Sequence, residues 1–152
     1  MRKSAGILPY RIDNGYPEVF LVHPGGLFWK NKDVGAWSVP KGELKENEDA
    51  LNAAKREFRE ETGIEADGKF IPLTPVRQKS GKVVIAWALE KDIDPSALVS
   101  NTFDFEWPAK SGKFIAIPEV DQGQWFTMEE ARSKIIPGQI DIINELERLL
   151  KI

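Results

Sequence analysis

Apolar residues in the first part of the chain fall into two runs that predict neighbouring strands. Residues 4–12 mix small and apolar side chains, and residues 18–23 form the continuous apolar run that is typical of a buried strand. Asn14-Gly15 between them favours a tight hairpin turn. Residues 24–36 are rich in glycine and aromatic side chains and predict a long loop, a feature that often carries function in a compact domain.

A helical pattern follows at residues 48–62. This run contains no proline or glycine, is rich in strong helix formers, and repeats apolar residues at helical spacing. We expect Asn47 to cap its N-terminus and Gly63 to end it in the left-handed conformation. A short strand at residues 37–40 and a loop at residues 41–47 should lead into the helix.

The second half of the chain predicts more strands and two more helices. Its predicted elements are strands at 70–78 and 82–90, a mostly irregular stretch at 92–107, a short strand ending at Phe126, a helix at 128–133 capped by Thr127, and an amphipathic helix at 140–151. Strands interrupted by a central and a terminal helix predict an α/β sandwich. A length of 152 residues without an internal repeat suits one domain spanning residues 1–152.

Composition narrows the possible functions. The chain has no cysteine and a single histidine, His23, which excludes disulfides, thiolate metal sites and zinc sites with several histidines. A net charge of −3 argues against a broad nucleic-acid-binding surface. No apolar run approaches the ~20 residues of a membrane span, and no signal-peptide core follows the N-terminus. We expect a soluble, cytoplasmic protein, a monomer or homodimer, with no nucleic-acid or membrane partner.

Three glutamates of the predicted helix share one face. At about 100° per residue, Glu57, Glu60 and Glu61 lie within an arc of roughly 100°. Like charges at these spacings destabilise a helix unless a cation lies between them. Clustered carboxylates suit a hard divalent cation such as Mg²⁺, or Mn²⁺. Arg56 is spaced to reach Glu60, whereas Glu48 lies on the opposite side of the helical wheel and is expected to help start the helix.

The same helix lies within a longer pattern of fixed spacing. Gly42, Glu48, Arg56-Glu57-Phe58, Glu60-Glu61 and Gly63-Ile64 stand at intervals that resemble the Nudix box. The resemblance implies a Nudix-type α/β/α sandwich with a mixed β-sheet, in which the catalytic helix follows a strand and a loop. It also implies a pyrophosphohydrolase, in which water attacks phosphorus to split a diphosphate bond.

Individual roles follow from the resemblance by motif position. Glu57, Glu60 and Glu61 would bind Mg²⁺ or Mn²⁺, and the backbone carbonyl of Lys41 would add a further ligand. Arg56 would orient a glutamate of the box through a charge-assisted hydrogen bond.

The general base is open between the box and a later loop. A box glutamate, Glu57 or Glu60, serves in some enzymes that carry this pattern, and a later carboxylate serves in others. The later candidates are Glu106 and Glu119. We favour Glu106, because the aromatic residues on either side of it can shield it from water.

Residues outside the box indicate the substrate. The segment Trp37-Ser38-Val39-Pro40-Lys41-Gly42 resembles the Trp-x-x-Pro-Lys-Gly pattern of diadenosine-polyphosphate hydrolases and of some nucleoside triphosphate pyrophosphohydrolases, and its lysine can bind a phosphate. His23-Pro24-Gly25-Gly26, followed by Phe28-Trp29, resembles a bacterial Nudix group predicted to cleave nucleoside triphosphates. His23 and Trp29 are therefore candidate substrate contacts, with Trp29 able to stack on a base.

The expected activity is metal-dependent hydrolysis of a nucleoside polyphosphate, either a dinucleoside polyphosphate or a (deoxy)nucleoside triphosphate. A hydrolase of another diphosphate, such as a nucleotide sugar, ADP-ribose or a diphosphoinositol, is the alternative enzyme. A noncatalytic module that binds a nucleotide is the alternative of another class, although three unneutralised carboxylates on one face argue against it.

Overall fold

A computed structural model describes residues 2–151 of the chain. Nine strands and three α-helices alternate along these residues. Their bounds are β1 Lys3–Asp13, β2 Tyr16–Pro24, β3 Lys41–Glu43, α1 Ala50–Thr62, β4 Phe70–Pro72, β5 Val76–Arg77, β6 Val83–Glu90, β7 Thr102–Glu106, β8 Phe114–Pro118, β9 Val120–Thr127, α2 Met128–Lys134 and α3 Ile140–Leu150. Short 3₁₀ turns lie at Pro95–Ala97 and Pro137–Gln139. Within the described residues, no helix is long and apolar enough to cross a membrane.

The main sheet is mixed and places β1 at its centre. Its strand order is β4-β6-β1-β2-β9, with β1 and β6 parallel and the other pairs antiparallel. Residues 4–6 of β1 also pair with β3, whereas residues 10–13 pair with β2. The strand β3, which leads toward α1, therefore lies directly against the central strand.

Alternating side chains of β1 and β2 divide the core into two layers. Ala5, Ile7, Phe20 and Val22 point to one layer, which packs against Ala53, Ala54 and Phe58 of α1. Leu8, Tyr10, Val19 and Leu21 point to the other, which contains Ile142, Ile143 and Leu146 of α3 together with residues of α2. Because strand side chains alternate between faces, one sheet is covered by helices on both sides. The predicted α/β/α sandwich is confirmed.

The start of α1 differs from the sequence prediction. Asp49, not Asn47, is the N-cap, and its side chain accepts a hydrogen bond of 3.1 Å from the backbone N–H of Asn52. Asn47 instead adopts a left-handed conformation with φ of 60°, so the helix begins at Ala50 rather than at Glu48. Gly63 ends the helix with φ of 75° and donates its N–H to the carbonyl of Arg59, as predicted.

Three predicted strand regions were wrong in detail. Residues 37–40 form only isolated bridges, and β3 lies within the predicted loop at 41–47. The strand predicted at 70–78 is split into β4, which ends at Pro72, and β5, which begins after Pro75. The stretch at 92–107, predicted as mostly irregular, contains β7, which pairs with β8 in a separate two-stranded sheet. The structure agrees with four other predictions, namely the hairpin at Asn14-Gly15, the loop after β2, α2 with its Thr127 cap, and α3.

Candidate active site

The strand β3 and the helix α1 meet at Gly42 and Glu57. A Cβ atom added to Gly42 would lie 1.6 Å from Oε1 of Glu57 and 2.0 Å from its Cδ. No side chain fits in that space, so glycine is required if the carboxylate of Glu57 is to rest on the backbone of β3. This contact explains why a glycine in β3 and a glutamate in α1 belong to one motif.

Arg56 connects the carboxylates of the box. Its Nη1 donates to Oε2 of Glu57 and to Oε2 of Glu60, each at 2.9 Å. Its Nε and Nη2 donate to the two oxygens of Glu48 at 2.9 and 3.0 Å, and Nη2 also reaches the carbonyl of Glu43 at 3.3 Å. A planar guanidinium is suited to this many fixed partners. Arg56 thus contacts three glutamates, where the sequence predicted only one.

Glu48 has a different position from the one the helical wheel suggested. It precedes α1, and its Oε1 also accepts a hydrogen bond of 2.9 Å from the backbone N–H of Lys45. The two hydrogen bonds from Arg56, together with this bond from Lys45, lower the pKa of Glu48 to about 2. Glu48 therefore holds Arg56 from the side opposite to Glu57 and Glu60, and does not start the helix.

The remaining carboxylates form a crowded acidic cluster. Burial raises the pKa of Glu61 well above its ordinary value, and the charge of Glu57 raises it further, while Lys41 opposes the shift. Burial and the charge of Glu60 also raise the pKa of Glu57, against the effect of Arg56. In both groups burial is the larger cause of the shift, and the charge of a neighbouring carboxylate adds to it.

Glu119 joins this cluster from the far end of the chain. The loop between β8 and β9 is tied to α1, because Glu119 N–H donates to the carbonyl of Asn101 at 2.9 Å and Asn101 N–H donates to the carbonyl of Glu60 at 2.7 Å. Burial raises the pKa of Glu119, and the charge of Glu60 adds to this rise. An apolar strand at Phe114–Ile117, ending at this glutamate, is the sequence signal that would have favoured it.

Glu106, the carboxylate that the sequence favoured as the base, lies elsewhere. Its two oxygens accept hydrogen bonds from the backbone N–H groups of Lys110 at 3.1 Å and Gly112 at 3.0 Å. These bonds hold the turn between β7 and β8. The structure therefore brings Glu119, rather than Glu106, to the box glutamates.

A cavity of about 210 Å³ opens beside the cluster. Glu61 and Glu119 line its acidic side, and Lys41 and Trp29 line it as well, together with apolar groups that include Val39 and Ile136. Burial and the charge of Lys82 lower the pKa of Lys41, although Glu61 works against this shift. Two of the three substrate contacts predicted from the sequence, Lys41 and Trp29, thus face the same space as the carboxylates.

His23 lies outside that cavity and has a structural environment. Its side chain is buried, with Nδ1 2.9 Å from Oδ1 of Asp121 and Nε2 2.6 Å from the carbonyl of Lys32. The N–H of Lys32 in turn donates to the carbonyl of Trp29 at 3.0 Å. The ring therefore holds the loop that carries Trp29, and His23 lines a separate surface pocket together with Lys30 and Lys32.

The donor set fits a hard divalent cation in its chemistry. Glu57, Glu60 and Glu61 supply only carboxylate oxygens, the ligands that Mg²⁺ and Mn²⁺ prefer. Across residues 2–151, no three His, Asp or Glu side chains already form a closed metal-ligand group, and Arg56 holds Glu57 and Glu60 by hydrogen bonds. Glu61 and Glu119 line the cavity, and neither is among the carboxylates that Arg56 binds. Glu119 is therefore a fourth candidate oxygen donor.

Comparison with known proteins gives one family. A family model of the NUDIX domain matches residues 1–146. Nudix hydrolase 7 of Arabidopsis thaliana is 39% identical over 67 residues, which cover 44% of this chain and 22% of the plant protein. The rat asymmetrical bis(5'-nucleosyl)-tetraphosphatase is 42% identical over 75 residues, which cover 45% of this chain and 51% of the rat protein. The chain thus spans about half or less of the length of these curated relatives.

Solved structures share the fold over nearly the whole chain. The Ap4A hydrolase of C. elegans superposes with a TM-score of 0.66 at 21% identity, covering 99% of both chains. The NUDIX domain of Shewanella oneidensis NrtR, solved in complex with ADP ribose, superposes with a TM-score of 0.67 at 16% identity, covering 98% of this chain and 88% of that one. At these identities the likeness concerns the fold.

Proposed function

Because the chain belongs to the NUDIX domain family, we propose that it is a metal-dependent pyrophosphohydrolase that cleaves a diphosphate bond in a nucleoside polyphosphate. The substrate is a dinucleoside polyphosphate or a (deoxy)nucleoside triphosphate. One observation carries the proposal: two carboxylates, Glu61 and Glu119, line the same cavity as Lys41 and Trp29. This is the combination that a base, a chain of phosphates and a divalent cation together require.

In this proposal the glutamates of α1 bind the metal. Glu57, Glu60 and Glu61, with the carbonyl of Lys41, would hold Mg²⁺ or Mn²⁺, which when bound neutralises phosphate charge and stabilises the charge on the leaving phosphate. Gly42 keeps the carboxylate of Glu57 against β3, and Arg56 fixes the carboxylates of Glu57 and Glu60. The chain therefore prepares these oxygens in one place before the substrate arrives.

Glu119 is the general base in this proposal. It lines the cavity, lies close enough to Glu60 for the two charges to interact, and has a raised pKa. A carboxylate with a raised pKa is a stronger base and accepts a proton more readily from the attacking water. Glu106 is removed from this role because its oxygens hold the hairpin turn.

Lys41 and Trp29 define the substrate class. The ammonium group of Lys41 can bind a phosphate, and the indole of Trp29 can stack on a base within the same cavity. The name of the rat relative, a bis(5'-nucleosyl)-tetraphosphatase, fits a substrate with a chain of phosphates. A hydrolase of another diphosphate and a noncatalytic nucleotide-binding module are the alternatives that the experiments must separate.

A substrate panel tests the activity. Purified protein is incubated with dinucleoside polyphosphates, nucleoside triphosphates, ADP-ribose, nucleotide sugars and a diphosphoinositol, in Mg²⁺ and in Mn²⁺, and the phosphate products are quantified. We expect turnover of a nucleoside polyphosphate that stops when the metal is chelated. Turnover of a sugar-linked diphosphate alone would reject the proposed substrate class. Product mass spectrometry in ¹⁸O-labelled water then identifies the phosphorus that water attacks.

Two substitutions test the assigned residues against a matched control. Glu61→Gln and Glu119→Gln should each lower kcat by about 100-fold or more, and Glu61→Gln should also weaken Mg²⁺ binding. Glu65→Gln, an exposed carboxylate beyond the end of α1, should change neither property. Unchanged metal affinity and turnover in Glu61→Gln would contradict the catalytic assignment and favour a binding module.

A further inference from the structure

The hairpin of β7 and β8 has one apolar face that the core does not use. The register pairs Phe103 with Ile117 and Phe105 with Ile115, which places these four side chains on the same face. Trp107 follows Phe105 by two residues and so continues this face. Phe103, Phe105, Trp107 and Ile115 are exposed, and none belongs to the two hydrophobic clusters of the described core. We call this set the hairpin face.

The two ends of the hairpin lie next to the candidate active site. At its base, Asn101 N–H donates to the carbonyl of Glu60, and β8 runs directly into Glu119, which lines the cavity. The loop that carries Trp29 is also bonded to this segment, because Gly25 N–H donates to the carbonyl of Glu119 at 3.1 Å. The base of the hairpin is thus part of the site.

The hairpin face turns toward the loop that carries Trp29. A Cβ atom added to Gly26 would lie 3.6 Å from Cγ2 of Ile117, the innermost residue of the face. Ile117 is buried, whereas Phe105 is 37% exposed and Trp107 52% exposed. The apolar surface therefore begins at Ile117, next to the loop that carries Trp29 and two residues before Glu119, and continues outward along the strands.

Two rings of the face are arranged for a planar ligand. Phe105 and Trp107 are inclined by only 21°, with ring centroids 6.3 Å apart. Rings at this separation and angle form one nearly flat aromatic surface, and the exposed side of that surface can stack on a planar ring. Aromatic side chains bind bases in this way without needing a fixed set of hydrogen bonds.

We propose that the hairpin face binds a second nucleobase, the one at the far end of the phosphate chain in a dinucleoside polyphosphate. This inference rests on the proposed function and selects the dinucleoside polyphosphate within it. Trp29 stacks on the first base in the cavity, the phosphates cross the carboxylate cluster, and Phe105 and Trp107 stack on the second base. A second copy of the chain is the other occupant that an apolar face suggests, but continuity with the cavity favours the substrate.

The experiment compares two ligands, one with a second nucleoside at the end of the phosphate chain and one without it. Diadenosine tetraphosphate and adenosine tetraphosphate have the same number of phosphates, and kcat/KM is measured for both with Phe105→Leu, Trp107→Leu and the double variant. Leucine keeps the face apolar but removes the ring. Phe114→Ala is the matched control, because Phe114 is exposed on the opposite face of the same hairpin, paired with Glu106.

The double variant should lower kcat/KM for diadenosine tetraphosphate by about tenfold or more and change the value for adenosine tetraphosphate by less than about twofold. Phe114→Ala should change neither. An equal loss on both ligands, or no loss on either, would overturn the inference. So would a dimer in the parent protein that dissociates in the double variant, as measured by light scattering.

Binding measurements keep this test separate from the test of turnover. If the parent hydrolyses no nucleoside polyphosphate, the proposed function fails, and calorimetry with the same two ligands in Ca²⁺ still tests the hairpin face. Tighter binding of diadenosine tetraphosphate than of adenosine tetraphosphate, with the difference abolished in the double variant, supports the second-base site. Equal dissociation constants in the parent overturn it.

Discussion

The surroundings of α1 and the β7–β8 hairpin are built in opposite ways, although α1 and the residue that follows β8 each place a glutamate at the same cavity. Around α1, Arg56 alone makes hydrogen bonds to three carboxylates and one carbonyl, and Gly42 leaves no free space beside Glu57. In the hairpin, the aromatic side chains are exposed, and Glu106 stabilises only its own turn. Phosphorus chemistry needs oxygens held in fixed positions, whereas recognition of a flat ring tolerates an adaptable surface.

Among residues that are neither proposed metal ligands nor the proposed base, the largest effect should come from filling the space between β3 and Glu57. Gly42→Ala places a methyl group where Oε1 of Glu57 lies, so the carboxylate must move away from β3. Because small displacements of catalytic groups are costly, we expect kcat to fall by about 100-fold. The backbone conformation of Gly42 is open to other residues, so the protein should still fold.

Making Gly42→Ala in a protein that already carries Glu57→Ala tests why Gly42→Ala lowers kcat. In Glu57→Ala protein the atoms that crowd Gly42 are gone, since the three nearest atoms to its added Cβ all belong to the carboxyl group of Glu57. Adding Gly42→Ala there should change the thermal midpoint little, as measured by calorimetry. A further large drop would mean that Gly42 is needed for the strand itself and not for the glutamate.

Arg56→Ala should have the next largest effect, on stability. It leaves Glu48, Glu57 and Glu60 close together without their shared cation, and removing one partner of a mostly buried ion pair is strongly destabilising. We expect the free energy of unfolding to fall by about 2–4 kcal/mol in chemical denaturation. Arg59→Ala removes an exposed ion pair with Glu65 in the same helix and should cost about 0.5 kcal/mol or less. Similar losses in the two variants would contradict the central role of Arg56.

The stabilisation by Mg²⁺ should depend on pH. Glu57 and Glu61 have raised pKa values in the folded, metal-free protein, so it keeps protons that the unfolded chain has released. The stability of the metal-free protein therefore falls as pH rises through these raised pKa values. A divalent cation takes the place of those protons, and the increase in Tm caused by Mg²⁺ should be larger near pH 8 than near pH 5.

Thermal melts with and without Mg²⁺ across this range measure the effect. In Glu61→Gln, which has no carboxyl proton to release at that position, the pH dependence of the metal-free melt should be flatter. A shift in Tm that is the same from about pH 5 to about pH 8 would show that protons and Mg²⁺ do not compete for these glutamates.

The same contrast explains what the sequence could predict. The helix α1, its end at Gly63 and the shared face of Glu57, Glu60 and Glu61 follow from local spacing, which periodicity reports directly. The start of the helix does not, because Glu48 turns toward Arg56 and leaves Asp49 to cap. The family resemblance carried by the box is confirmed by the NUDIX match.

Features that depend on distant contacts were harder to predict. The approach of Glu119 to α1 is created by hydrogen bonds through Asn101, which no local pattern contains. The buried surroundings of His23 likewise depend on Asp121 of β9 and Lys32 of the loop. The prediction of an irregular stretch at 92–107 overlooked residues 102–106, where aromatic and polar side chains alternate as they do in a half-buried strand.

The smallest effect should come from Glu106, at the tip of the hairpin. Glu106→Ala removes two hydrogen bonds accepted from Lys110 and Gly112, in the turn of the separate two-stranded sheet. Because these bonds are exposed, we expect the free energy of unfolding to fall by about 1 kcal/mol or less. Hydrogen exchange at the two amides should become faster, and kcat for a substrate with a single base should change by less than about twofold.

The matched variant is Glu119→Ala, which removes a carboxylate of the same charge at the other end of the hairpin. It should nearly abolish turnover while leaving those amides protected. A 100-fold loss of kcat in Glu106→Ala would instead return the role of general base to Glu106 and would show that the hairpin, like α1, is held in one position for the chemistry.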